Sequence, residues 1–192
     1  MNTKILQIFS IFLLSIFIIG CNGEEDCNCP SPVPTDVNKT ISEANFQEGL
    51  ITKETTLEVK TADNEILTLV TLQEGTQFED ANGVAITEIP ILSVNVIRKN
   101  RTSISTIKFF DKNGNALVPT KPVKLAIQPP LTANAGDQIQ LNVADNSNIQ
   151  IQKTIIRIVD ENGLILIEVV FNDNQNATLI ITASFLGNGA TN

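Results

Sequence analysis

The sequence predicts an all-β protein whose body is one antiparallel β-sandwich, set behind a leader and a tether. Three observations predict it. Short runs rich in Ile, Val, Leu and Thr alternate with period two, which buries one face of a strand and leaves the other wet. Clusters of Asn, Asp and Gly separate these runs at the spacing of a sandwich. From about residue 55 onward no segment repeats its apolar residues with a helical period.

The strands follow in order. TTLEVKT (55–61) sets Leu57 and Val59 on one side, and after the turn-like Ala62-Asp63-Asn64 comes ILTLVTL (66–72). ILSVNVIR (91–98), SISTIKFFD (103–111), KPVKLAIQ (121–128) and DQIQLNVA (137–144) continue the pattern. TIIRIVD (154–160), LILIEVVF (164–171) and ATLIITASF (177–185) complete it. This length of chain is ample for one core and short for two domains of the same type. Upstream, residues 38–53 are ambiguous, and Thr40-Ile41-Ser42-Glu43 fits a capping box that allows one short helix there. The predicted division is therefore 1–20 leader, 21–53 anchor and tether, and 54–192 sandwich.

The leader carries Lys4 and then a run, Ile5 to Ile19, that is apolar except for Gln7, Ser10 and Ser15. At ~1.5 Å per residue such a run makes a helix of ~22 Å. A membrane span needs ~20 residues, and this run falls short of that, as secretory h-regions do. It ends in Ile18-Ile19-Gly20-Cys21. Those four residues resemble the bacterial lipobox, in which an aliphatic residue and a small residue precede the cysteine that receives a diacylglyceryl thioether. The resemblance implies cleavage after Gly20, lipid on Cys21 and attachment to a membrane through that lipid. Asn22-Gly23-Glu24-Glu25-Asp26 in turn resembles the acidic export signal behind the lipid cysteine of Bacteroidetes-type surface lipoproteins. It implies that Glu24, Glu25 and Asp26 are read as an address, and that the body faces the cell exterior from the outer membrane. The tether, 22–37, has Pro30, Pro32 and Pro34 at every second position, which favours an extended polyproline-like chain.

Composition excludes several functions. Lys and Arg total 13 against 21 Asp and Glu, a net charge of −8. Loss of Lys4 with the leader makes it −9 (13 − 1 − 21). A nucleic-acid partner demands a basic footprint, so none is expected. The chain has no histidine, which removes Ser-His-Asp and Cys-His catalysis and most transition-metal sites. No cofactor and no metal are expected. Cys27 and Cys29 are too close for an unstrained pair and lack two further zinc ligands, so they are read as free thiols or intermolecular partners.

Three segments, FEDANGVAI (78–86), FFDKNGNAL (109–117) and IVDENGLIL (158–166), share Asp-x-Asn-Gly. A calcium loop would need an acid at its twelfth position, and counting from Asp80, Asp111 and Asp160 reaches Ile91, Pro122 and Phe171. The three are expected to be hairpin turns. The acid pairs Glu79 with Asp80 and Asp160 with Glu161 do not converge by spacing, since neighbours on a strand point to opposite faces. No catalytic residues are expected.

LQEGTQFEDANGVAIT (72–87) resembles the Gly-Thr-then-Asp-x-x-Gly hairpin of zonula-occludens-type (ZU-type) and related Ig-like sandwiches on bacterial surfaces. IKFFDKNGNALVPTKPVKLAI (107–127) resembles their later strand pair. The resemblance covers less than a third of the mature chain. It implies an Ig-like sandwich acting as a structural or protein-interaction module. A glycan-binding lipoprotein of a nutrient-uptake system is the alternative, and a histidine-free hydrolase using carboxylates is a third reading. Glycan platforms favour Trp and Tyr, and the chain has neither. Phe109 and Phe110 are adjacent, so one must face outward, and that pair is the candidate partner surface.

Overall fold

The computed structural model describes residues 35–145, 151–171 and 178–187. Two antiparallel sheets enclose one core. The larger has eight strands. Its main path runs β1 (Thr35–Thr40), β7 (Ile91–Arg98), β8 (Thr102–Phe110), β14 (Thr178–Gly187), β11 (Gln138–Asp145) and β12 (Ile151–Ile158). Short β9 (Ala116–Pro119) pairs with the end of β8, and β6 (Phe78–Glu79) pairs with β9. The smaller sheet has four strands in the order β13 (Ile165–Val169), β10 (Val123–Ile127), β5 (Ile66–Leu72) and β4 (Thr55–Lys60). A two-stranded hairpin, β2 (Phe46–Gln47) with β3 (Leu50–Ile51), stands apart. The antiparallel sandwich is as the sequence predicts, and all nine predicted strands are present.

The period-two pattern explains the core. On β13, Ile165, Ile167 and Val169 are buried while Leu166 and Glu168 are exposed. From the opposite sheet come Leu92, Val94, Ile107, Phe109, Ile139, Leu141, Leu179 and Ile181, all in the same buried cluster. Arg98 ties the two sheets at one end. Its Nε donates to the Pro129 carbonyl at 3.0 Å, and its Nη1 meets Glu65 Oε1 at 3.0 Å. Burial lowers the Arg98 pKa, and the Glu65 carboxylate opposes that shift.

The body begins earlier than predicted, which corrects the tether boundary at residue 53. β1 pairs with β7 over six residues, from Thr35 opposite Val96 to Thr40 opposite Ile91. Ile41, Phe46 and Ile51 then enter the core. The ambiguous stretch 38–53 forms no α-helix at the capping box. Glu43–Asn45 is a single 3-10 turn, and Ser42 makes no side-chain cap. Ser42 and Phe46 on either side have extended backbone, and Ile41 and Phe46 are drawn into the core, so tertiary packing overrides the local capping signal. The next turn, Glu48-Gly49, has φ of 51° and 83°, as a two-residue type I′ hairpin requires. A Cβ on Gly49 would also stand 2.8 Å from the Ile86 carbonyl oxygen.

Among the described residues two buried side-chain atoms have no hydrogen-bond partner, Gln128 Oε1 and Ser105 Oγ. Ser105, on the inner face of β8, is fully buried and its Oγ makes no hydrogen bond. Leaving a buried hydroxyl unpaired costs about 1–3 kcal/mol. Ser105→Ala is therefore expected to hold or raise stability, read by urea unfolding. Phe109→Ala, at a wholly buried ring, is expected to cost about 3–5 kcal/mol. A loss above about 1 kcal/mol for Ser105→Ala would show that the hydroxyl is bonded after all.

Candidate functional site

The candidate partner surface at Phe109 and Phe110 divides. Phe109 is excluded from it. Its ring lies wholly in the core, 5.1 Å from that of Phe78 and 5.6 Å from that of Phe171 by centroid. Strand parity decides this, because Phe109 continues the buried face of Ser103, Ser105 and Ile107. Phe110 takes the outer face, half-buried beside Ile91, its partner across the ladder. Lys108 sits two residues back on the same face, with its Nζ 5.5 Å from the ring centroid. That is cation–π range, so a cation shares the ring's surroundings.

The three Asp-x-Asn-Gly segments form one turn, built three times. At each, the Gly N–H donates to the Asp carbonyl at 3.0 Å, at Gly83, Gly114 and Gly163. These glycines have φ of 74°, 86° and 75°, the left-handed conformation that closes a three-residue loop. The Asp side chain completes the turn. Asp80 Oδ1 accepts from the N–H groups of Asn82 and Val84 at 2.8 and 2.9 Å. Asp111 Oδ1 accepts from Asn113 and Asn115, and Asp160 Oδ1 from Asn162 and Leu164, at 2.8–2.9 Å. The third corner differs in its use. It passes the chain from β12 of the large sheet to β13 of the small one, so it is a crossing between sheets and not a hairpin. The Asp80 and Asp111 corners face one another across a cavity of about 440 Å³, a juxtaposition that their spacing in the sequence does not reveal.

A second concavity lies on the outer face of the four-stranded sheet. Ala126 of β10 is flanked in register by Leu69 of β5 and Leu166 of β13. A small residue between two large ones makes a notch, and this row is apolar on a face that period-two patterning should leave polar. The register shifts between Val59 and Lys60, which leaves Leu67 as an extra residue on β5. Leu67 and Thr68 are both buried, and Ile66 comes out beside Leu69. Two adjoining hollows, of about 440 and 690 Å³, share Leu69, Ala126 and Leu166. Gln128 closes one end. Its Nε2 donates to the Ile66 carbonyl and to Glu65 Oε1 (3.0 Å), while its buried Oε1 has no partner. Sequence reading missed this groove. Its signal was a small apolar residue, Ala126, at an outward position of an alternating strand.

The lipidation residue Cys21 and the export acids Glu24, Glu25 and Asp26 lie outside the described residues, as do Cys27 and Cys29. Among the described residues no group of three or more His, Cys, Asp or Glu is placed to hold a metal ion. Comparison of the chain with protein-family models, curated proteins and solved structures gives no match.

The corners make two expectations. The Asp80 carboxyl is held below its ordinary value of 3.8, first by the Val84 N–H and then by that of Asn82. Asp111 is held below the same value, first by the Asn115 side-chain amide and then by backbone N–H groups. A depressed folded-state pKa stabilises above the unfolded value, and the contribution is lost as pH falls through the folded one. Replacing both, Asp80→Asn with Asp111→Asn, is expected to flatten the fall in stability below about pH 3.8. An unchanged acid limb would assign it to other groups. Chelation of calcium is expected to leave the melting temperature unchanged, because each Oδ1 is already spent on two N–H donors. A saturated site would instead raise it by several degrees.

Proposed function

We propose that the protein is a lipoprotein, anchored in the outer membrane through lipid on Cys21, whose sandwich serves outside the cell as a non-catalytic structural or protein-interaction module. The observation that carries the reading is Ile18-Ile19-Gly20-Cys21 at the end of a short apolar run, with three acids three to five positions beyond the cysteine. A thiolate is the strong nucleophile that acylation of a side chain needs. The acids would stand beside a negatively charged surface, where they gain nothing electrostatically, so a receptor that reads them is the better account of their position.

The position of β1 supports this arrangement. Thr35 is 14 positions beyond Cys21 (35 − 21), so an extended tether at ~3.1 Å per residue spans roughly 43 Å. The non-catalytic part is supported by the use of the conspicuous carboxylates. Asp80, Asp111 and Asp160 each bind their own turn, an architectural task. The likeness of 72–87 and 107–127 to ZU-type and Ig-like hairpins points the same way.

Two measurements check the reading. Grown with a clickable fatty acid, wild type is expected to take up label and Cys21→Ser to take up none. Equal labelling of both removes the anchor. Protease shaving of intact cells of the native type of host is expected to remove wild type. It should spare a variant with Glu24, Glu25 and Asp26 changed to Ala. Wild type that is protected while the membrane stays intact would place the body in the periplasm.

A further inference from the structure

We propose that the end of the large sheet at the β7–β8 hairpin is a second membrane contact. Lys99 and Arg101 meet the phosphates of anionic phospholipid headgroups there, and Leu131 and Leu186 enter the headgroup layer. The proposal rests on the lipid anchor for bringing the body to a bilayer, and it adds which end of the body lies against it.

The patch is assembled from three parts of the chain. The hairpin turn carries Lys99 and Arg101, both exposed. The Leu131 N–H donates to the Lys99 carbonyl at 3.1 Å, and the Phe185 N–H to the Arg101 carbonyl at 3.0 Å. The loop after β10 and the end of β14 are thereby fastened to the hairpin. Each brings an exposed leucine, Leu131 at 54% and Leu186 at 47%. The Thr132 N–H also donates to the Asn100 carbonyl at 3.1 Å, and the Arg101 guanidinium sits 5.5 Å from the centroid of the Phe185 ring. The cations and the leucines are thus gathered on one frame before any partner arrives.

Charge says what covers the patch. The chain has a net charge of −8, yet among the described residues neither Lys99 nor Arg101 forms an ion pair. Arg98 beside them is already paired with Glu65. Two acids of the large sheet near this end are committed elsewhere. Asp137 is buried, its carboxylate accepting from the Asn134 N–H at 2.7 Å, and Asp36 accepts from Ser93 Oγ further back along β1. Asp63 lies in the β4–β5 turn, and Asp160 and Glu161 in the corner leading to β13, so the acidic half of this end belongs to the small sheet. Cations beside exposed aliphatic side chains complement a surface that is anionic outside and apolar just beneath.

The entry point of the chain favours the same surface. β1 runs antiparallel to β7 with Thr35 opposite Val96, so the chain enters the body at the end where Lys99 and Arg101 stand. At ~3.4 Å per residue, Lys99 is roughly 10 Å beyond Val96 along the strand. An anchor at Cys21 therefore draws this end toward the bilayer, and leaves the Asp111 corner, at the other end of β8, away from it.

The test uses the full chain, expressed in a bacterium, purified from its membranes and mixed with vesicles. One set is phosphatidylcholine alone, and the other is phosphatidylcholine with phosphatidylglycerol. Flotation with the neutral vesicles reports the anchor. Lysine acylation read by peptide mass spectrometry reports the patch. Labelling of Lys99 is expected to be about fivefold slower on the anionic vesicles than on the neutral ones, the contribution of one basic residue at such a surface. Lys112, beside the Asp111 corner, is expected to label equally on both. At about 1 M salt, where the Debye length is about 3 Å, the difference at Lys99 is expected to vanish. Arg101→Glu with Leu131→Ser, both at exposed positions, is expected to abolish it at ordinary salt while the melting temperature holds. Equal labelling of Lys99 on the two vesicles, slowing of Lys112 as strong as that of Lys99, or protection that survives the double substitution would each overturn the proposal. Failure to float with neutral vesicles would overturn the anchor alone, and Lys99 on the anionic vesicles would still decide the patch.

Discussion

The rest of the structure hangs on a row of four phenylalanine rings. Phe46, Phe78, Phe109 and Phe171 stand at successive centroid distances of 6.3, 5.1 and 5.6 Å, with interplanar angles near 60°. Tilted and edge-on arrangements of this kind suit the ring quadrupoles and add to the area that each ring buries. The four come from distant parts of the chain: strand β2, strand β6, strand β8 and the residues after β13. Each of these segments enters or leaves a sheet near its ring. Phe46, Phe78 and Phe171 lie on three of the chain's passages between the sheets, and Phe109 of β8 joins the rings of Phe78 and Phe171.

Phe109 has the most dependent on it. Its place in the core fixes the parity of β8, and that parity reaches through the ladder in both directions. It puts Ile107 inward beside Val94 and Leu179, and turns Lys108 and Phe110 out. A slip of one residue would bury Lys108 and expose Phe109, which no compensation on that strand could offset. It also commits Ser103 and Ser105 to the interior. Ser103 finds the Gln128 carbonyl at 3.0 Å, and Ser105 finds nothing. The unpaired hydroxyl is therefore a cost of the register that Phe109 imposes.

Legibility in the sequence followed the range of the interactions. Strands with clear alternation, such as TTLEVK, could be read directly because their pattern states which face is buried. The Asp-x-Asn-Gly corners were readable as turns because the side chain, the N–H groups it binds and the left-handed glycine lie within five residues. β1 was not readable. TDVNKT carries one aliphatic residue, and it is a strand because six residues of β7 offer it a free ladder. The hairpin at Glu48-Gly49 was hidden for a related reason, since Glu rarely takes positive φ and does so here within a packed environment. The crossing role of the third corner, the facing of Asp80 and Asp111, and the groove all depend on which strands become neighbours. That information is non-local, and a single sequence holds it only through the packing as a whole.

The outward turn of Ile66 and the buried Gln128 amide come from one local event. With Leu67 inserted, β5 has one more residue than its partner β4 can match, and two consecutive side chains, Leu67 and Thr68, go to the core. Ile66 then leaves the core side, and its carbonyl falls out of the ladder. Gln128 is the residue that repairs this, since its amide reaches the Ile66 carbonyl from the neighbouring strand's end. An amide that donates there must present its oxygen elsewhere, and the remaining direction holds no donor. Lys or Arg could satisfy the carbonyl without leaving an acceptor behind, at the cost of burying a charge that Glu65 would have to share with Arg98. A neutral amide avoids that burden and leaves one buried acceptor unmet. The unmet acceptor thus follows from how the sheet repairs its own irregularity.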